Sequence, residues 1–330
     1  MGATVTEVEL KRGVTGLIIE NEHLAVTVLP DKGADIISIV HKASGFDPMW
    51  KSPWGLRRPG LIATASNSSV AWHEAYPGGW QELFPNGGSA SVINGVELPY
   101  HGEASTAGWD WEILPDGIRM FVRLVRSPFV LERVMRLSDD KPELTIEGRA
   151  ENKGRIPLPY MWVHHPAFGP PFLEGTCVIE TNATKVMVDP DAADGDIEPG
   201  STHDWPIIAT RNGPLDASVI PGEDTPHKLM VFIGEFADER AWYAIHNQGQ
   251  GARIEFSWDR SDFPFAWLWE EMHYHTYGAM YGEVYTMAIE PATSWPGGLT
   301  HVMETTGTHR TIEPGEVITN ALTVSLSTTG

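Results

Sequence analysis

Cysteine is almost absent. Cys177 stands alone, so an intrachain disulfide and a cysteine-based zinc site are both excluded. Positive charge is scarce: 23 Lys and Arg face 44 Asp and Glu, for a net charge of −21. Binding nucleic acid through counterion release needs clustered Lys and Arg, and so does binding an anionic membrane surface; neither is expected as a partner. No run of about 18 apolar residues occurs, so no membrane-spanning helix is expected. The opening MGATVTEVELKRG lacks a basic stretch followed by an apolar one, so no signal peptide is expected and the simplest location is cytoplasmic. The sequons at Asn67 and Asn182 then carry no meaning. Helix signals are also missing. No window of about 12 residues holds an i, i+3, i+4, i+7 apolar stripe free of Pro and Gly. Phosphate-binding loops, dinucleotide fingerprints and G-x-S-x-G elbows do not occur.

What is present points to β structure. Of 330 residues, 33 are Gly and 25 are Pro, and they punctuate the chain with turns, while a 42% apolar share with 13 Trp suffices for a large core. Strand-like alternation recurs from end to end. Leu24 to Leu29 alternates, Pro30 to Gly33 turns the chain, and Ile36 to Val40 resumes, which reads as a hairpin. Arg119 to Val125, Val130 to Leu137, Leu144 to Ala150, Lys228 to Ile233, Trp242 to Ile245, Arg253 to Trp258 and Ala321 to Leu326 continue the theme. Many strands without helices mean a sandwich or barrel. No break in composition divides the chain, so residues 1–330 read as one large antiparallel all-β domain. Gly45 to Leu98 departs from the pattern. It is rich in Trp, Pro, Gly and Asn and long for a structureless connection, and long loops on rigid scaffolds carry function.

Histidine is the first candidate for chemistry, because its charge changes near neutral pH. Of the 13, four stand in unusual company: His73, His101 and the adjacent His164 and His165. In extended backbone, neighbours point to opposite faces, so only one of His164 and His165 is expected to face a given ligand. Glu290 ends an apolar run just before Pro291; burial would raise its pKa and a nearby cation would lower it. From spacing alone, a strand-end Glu bonding loop amides is the better explanation. Trp80, Gln81, Glu82 and Asn86 on one Gly-flanked stretch suit the CH faces and hydroxyls of a pyranose, as do Trp269 and Glu271, although at least half of the Trp residues are expected in the core. A metal site from His73, His101, His164, His165, His273 and His275 is the competing arrangement. His273-Tyr274-His275 has ligand spacing, but its next carboxylate, Glu283, lies beyond two glycines. No metal and no cofactor are expected.

In order and spacing, these residues resemble the aldose 1-epimerase or galactose mutarotase-like superfamily, in one of its bacterial branches. The likeness runs along nearly the whole chain. Asn21 to Ile39 is similar to the family's first hairpin, and Asp47 to Trp50 to its continuation. Gly78-Gly79-Trp80 and Phe84 to Gly87 are similar to a loop beside the sugar. Tyr100 to Ala104, followed by Trp109 to Glu112, matches another segment. His165-Pro166-Ala167-Phe168 matches the motif carrying the catalytic His, Ile289-Glu290-Pro291 the one carrying the catalytic Glu, and Glu313 to Glu316 the closing turn. The resemblance implies a large antiparallel β-sandwich and a cofactor-independent isomerase acting on a small carbohydrate, as monomer or homodimer. It implies Glu290 as base and His165 as acid, with His101 and His164 holding the ring oxygen or a hydroxyl. Two departures stand out. Ser105 replaces an Arg that relatives acting on hexose phosphates use, so a non-phosphorylated sugar is expected, with Arg57 and Arg58 as the features arguing for an anionic group. Gly169 replaces the Asn or Leu after the His motif. A carbohydrate-binding protein without turnover, or another sugar isomerase or lyase on the same scaffold, are the alternatives.

Overall fold

The computed structural model describes residues 2–58, 67–191, 195–276 and 280–329. Their architecture is two large antiparallel sheets, one of eleven strands and one of eight, with three further two-stranded sheets. The sequence hairpin appears as Leu24–Leu29 and Asp35–His41. The middle of the larger sheet runs, in spatial order, Trp80–Leu83, Val163–Phe168, Tyr285–Ala292, Phe265–Met272 and His227–Phe236. The smaller sheet includes Gly117–Arg123, Phe129–Leu137, Glu143–Asn152, Val317–Thr328 and Ala252–Asp259.

Period-two alternation explains how the sheets meet. In Phe129–Leu137 every odd residue is buried and every even one is partly exposed. Phe129, Leu131, Met135 and Leu137 join a core that also draws Leu17, Val26 and Ile36 from the larger sheet. Burying each such side chain contributes roughly 1.5–3 kcal/mol before entropy is subtracted. Arg133 occupies the same inward row, fully buried. The opposite face of the larger sheet is also covered. One outer cluster gathers Leu83, Val163, Phe232, Trp267 and Ala292; another gathers Trp50, Trp72, Tyr76, Ala167 and Val284.

The Gly45 to Leu98 stretch is less structureless than its composition suggests. It contains the helix Ser68–Ala75, the strand Trp80–Leu83 and the hairpin Ser91–Ile93 with Val96–Leu98. Asn67 caps the helix by accepting a hydrogen bond from the Val70 amide at 2.9 Å. Among the described residues, no helix is long and apolar enough to cross a membrane.

Candidate active site

A cavity of about 280 Å³ opens on the outer face of the larger sheet, lined by members of both outer clusters. Its floor is two adjacent strands. Val163 pairs with Ala292 and Ala167 with Ala288, and that register sets His165 opposite Glu290. Alternation turns His165 and Glu290 outward while Phe168, Met287 and Ile289 enter the core. Both residues precede a proline, which restricts them to extended backbone. Pro166 and Pro291 also withhold ladder donors in the middle of a sheet, an unusual placement for proline.

His165 Nε2 lies 3.7 Å from Glu290 Oε1, and the two side chains are only 6% and 3% exposed. Among the described residues, Glu290 Oε2 and His165 Nδ1 have no hydrogen-bond partner. Burial raises the Glu290 carboxyl well above its usual range. It lowers His165 to about 4. Burial thus disfavours the charged form of both groups and favours a neutral carboxyl beside a neutral imidazole. A carboxylate beside an imidazolium would hold the same number of protons, so the pair keeps one proton that can sit on either partner.

His101 faces this pair, with ring centroids 5.5 Å apart. Its backbone is left-handed, at φ 58°, uncommon for a residue with a side chain. Its Nδ1 is 2.6 Å from the Gly87 carbonyl. A carbonyl only accepts, so Nδ1 carries the proton and Nε2 presents a lone pair. Burial, and then His165, lower its pKa well below the ordinary value. His101 in this state therefore offers Nε2 as an acceptor for a ligand hydroxyl. His73 repeats the device, with Nδ1 2.7 Å from the Ser69 carbonyl. The walls are aromatic. Trp72 stacks on Tyr76 at 4.5 Å and sets its edge against His101 at 4.4 Å. Trp269 stands 6.0 Å from His165. Trp50, Trp54, Trp267 and Tyr100 complete the ring. Gly169 lets the chain pack closely on Trp50, because a Cβ there would lie 2.4 Å from Trp50 Cδ1.

Of the expected site residues, Glu290, His165, His101 and Trp269 line the cavity. The other six do not, and each is engaged elsewhere. His164 takes the inner face between Trp80 and Phe263, at 5.6 and 5.3 Å, where burial drives its pKa down to about 3. Trp80 is fully buried against Phe256. Glu82 bonds Arg133 at 3.3 Å and accepts from Trp162 Nε1 at 2.9 Å. Gln81 pairs with His165 across the strands, but its amide nitrogen donates to Asp35, which Lys32 also engages. Asn86 is a loop brace: its amide donates to the carbonyls of Gly88, Ser89 and Pro99, and its oxygen accepts from the Leu299 amide. Glu271 accepts from the His275 amide at 2.8 Å and meets the ring Nδ1 of the same residue.

Trp50, Trp54, Trp72, Tyr76 and Tyr100 went unread as site residues. The Trp-rich composition of Gly45 to Leu98 hinted at the first four, and Tyr100 lies just beyond it. Ser105 lies in the interior, its hydroxyl on the Gly102 carbonyl and its own carbonyl on Lys32. Arg58 donates to the Arg12 carbonyl, and Arg12 to that of Leu56, so these arginines tie a loop to the N-terminal region. Among the described residues, one group has the spacing to hold a cation: Asp189, Asp191 and His301, with ligand atoms within 4.8 Å of one another. His301 Nε2 is already 3.2 Å from Asp189, and the six histidines weighed for a metal do not form such a group.

Comparison with known proteins places this geometry in a wider setting. Residues 11–326 match a family described as "Domain of unknown function (DUF4432)". No curated protein sequence matches. Among solved structures, the chain is similar to a Klebsiella pneumoniae protein named as a candidate aldose 1-epimerase, with TM-score 0.72 and 17% identity over 98% of this chain and 83% of that one. It is similar to a galactose mutarotase-like protein from Clostridium acetobutylicum, with TM-score 0.67 and 14% identity over 99% of both chains. It is also similar to one from Lactobacillus casei, with TM-score 0.62 and 18% identity over 94% of this chain and 100% of that one. The fold is galactose mutarotase-like, an all-β sandwich.

Proposed function

Because the chain belongs to the family described as domain of unknown function DUF4432, and that description leaves the chemistry open, we propose an activity from the site itself: aldose 1-epimerase, interconverting the α and β anomers of a free, non-phosphorylated sugar. The observation that carries this reading is the buried His165–Glu290 pair on the cavity floor, 3.7 Å apart. The likeness to proteins named for the same activity supports it at the level of fold.

A bound sugar shifts this balance. A C1 hydroxyl donating to Glu290 favours the carboxylate, and a ring oxygen accepting from Nε2 of His165 favours the imidazolium. Glu290 then takes the C1 hydroxyl proton. The O1–H electron pair becomes the second bond of the C1 carbonyl, the C1–O5 bond breaks, and O5 takes the proton from His165. Rotation about C1–C2 presents the other carbonyl face, and the same groups reclose the ring in reversed roles. Positioned acids and bases of this kind contribute about 10²–10⁴-fold. The described lining contains no Lys or Arg, which supports a ligand without phosphate.

The test is magnetisation exchange between anomers across a panel of free aldoses and their 6-phosphates. The reading predicts acceleration of at least one free sugar, lost in His165→Asn. Acceleration confined to phosphorylated sugars refutes the substrate assignment, and none with any sugar refutes the activity.

A further inference from the structure

Resting on that reading, we infer that the sugar is a neutral deoxy aldose, one in which CH₂ or CH₃ replaces a CHOH or CH₂OH group. The inference comes from what the cavity offers beyond the acid–base pair. Sugar sites grip vicinal hydroxyls with carboxamide, carboxylate and guanidinium forks, because those groups match paired donors and acceptors. Here the candidates for that work are spent. Gln81 holds Asp35, Glu82 holds Arg133, and Asn86 holds three carbonyls. The described lining contains no Asp, Asn, Gln, Lys or Arg.

The remaining polar groups are few and mostly single donors or acceptors. His73 and His101 have each given their Nδ1 proton to a backbone carbonyl, so each offers a single lone pair at Nε2. The Tyr76 hydroxyl is already directed to the Gly79 carbonyl at 3.3 Å. Ser89 and Tyr100 add two hydroxyl-bearing side chains. The rest of the wall is five tryptophans, two methionines, two glycines and Val284; Trp267 Nε1 donates to the Ser294 carbonyl, and Trp72 Nε1, without a partner among the described residues, is a single N–H donor. A hydroxyl pressed against the ring faces or the methionines loses water without gaining a partner, whereas a methyl or methylene gains apolar burial. At about 280 Å³, the cavity is just below the range for drug-sized ligands and fits a single sugar ring. Charge points the same way. A uronate, phosphate or sulfonate would meet the Glu290 carboxylate with no Lys or Arg in the described lining to offset it.

The experiment compares matched sugars on the wild-type protein, so no variant has to fold. Galactose is paired with 6-deoxygalactose, mannose with 6-deoxymannose, and ribose with 2-deoxyribose. Affinity is read by calorimetry and by quenching of the cavity tryptophans, and turnover by anomer exchange. The inference predicts that in at least one pair the deoxy sugar binds about tenfold or more tighter than its parent. Parents binding as tightly in every pair overturns it, as does no sugar binding at millimolar concentration. The two readings separate cleanly. Tight deoxy-sugar binding without accelerated exchange preserves the ligand class and removes the epimerase activity. Accelerated exchange with the parent sugars preferred does the reverse.

Discussion

Replacing Glu82 with Gln separates a structural role from a sugar-binding one. Glu82 and Arg133 are each 1% exposed and 3.3 Å apart. Burial pushes Glu82 up and Arg133 down, each toward its neutral form, and their mutual attraction opposes that only in part. Such a pair adds little net stability, but removing one partner strands the other, typically at 3–5 kcal/mol. Glu82→Gln keeps the volume and can still accept from Trp162. Asp35 also remains as a second negative charge acting on Arg133. The expected loss is therefore at the low end, about 3 kcal/mol. The double variant Glu82→Leu, Arg133→Met should recover most of it, since no buried charge is then left alone. Urea denaturation followed by tryptophan fluorescence measures the change, and calorimetry measures sugar affinity on the folded variant. A wild-type urea midpoint together with lost affinity would refute the reasoning, because Glu82 would then be reaching the ligand.

Further outcomes follow from the same structure. The pH profile of kcat/KM should be bell-shaped: below about 4 the pair gains a second proton through His165, and above the raised pKa of Glu290 it loses its only one. An acid limb near the ordinary histidine value of about 6.5 contradicts this. His164 has a folded pKa lowered to about 3, from an ordinary value of 6.5. The unfolded chain thus binds its proton first as pH falls, and stability drains through that window. His164→Phe should flatten the loss by up to several kcal/mol in melts between those pH values; an unchanged acid slope refutes it. Trp269→Ala removes an aromatic wall and should raise KM roughly tenfold with kcat little changed. A fall in kcat alone would place Trp269 in the chemistry.

Most of the fold was legible because strands announce themselves locally. Alternation in Val130 to Leu137 and Arg253 to Trp258 marks both the element and its buried face. The same rule separated His164 from His165. The helix Ser68–Ala75 escaped because eight residues give barely two turns of periodicity, and its one local sign, Asn67 as cap, is common in loops. The supporting roles of Gln81 and Glu82 were hidden for another reason. Their partners, Asp35 and Arg133, lie 46 and 51 residues away in sequence, and no local pattern tells a polar residue facing a ligand from one facing a remote charge. The proton location on Glu290 and His165 was equally invisible, since it depends on desolvation by rings brought in from Trp72, Tyr76 and Trp269.

The most direct test of the central claim is anomer exchange by Glu290→Gln on the sugar that the wild-type protein turns over fastest, with calorimetry on the same sample. Gln keeps the shape of the side chain but cannot take the C1 hydroxyl proton. The account predicts exchange slowed by about two to four decades, with sugar affinity within a few-fold of wild type. Exchange at the wild-type rate with the sugar bound would contradict it.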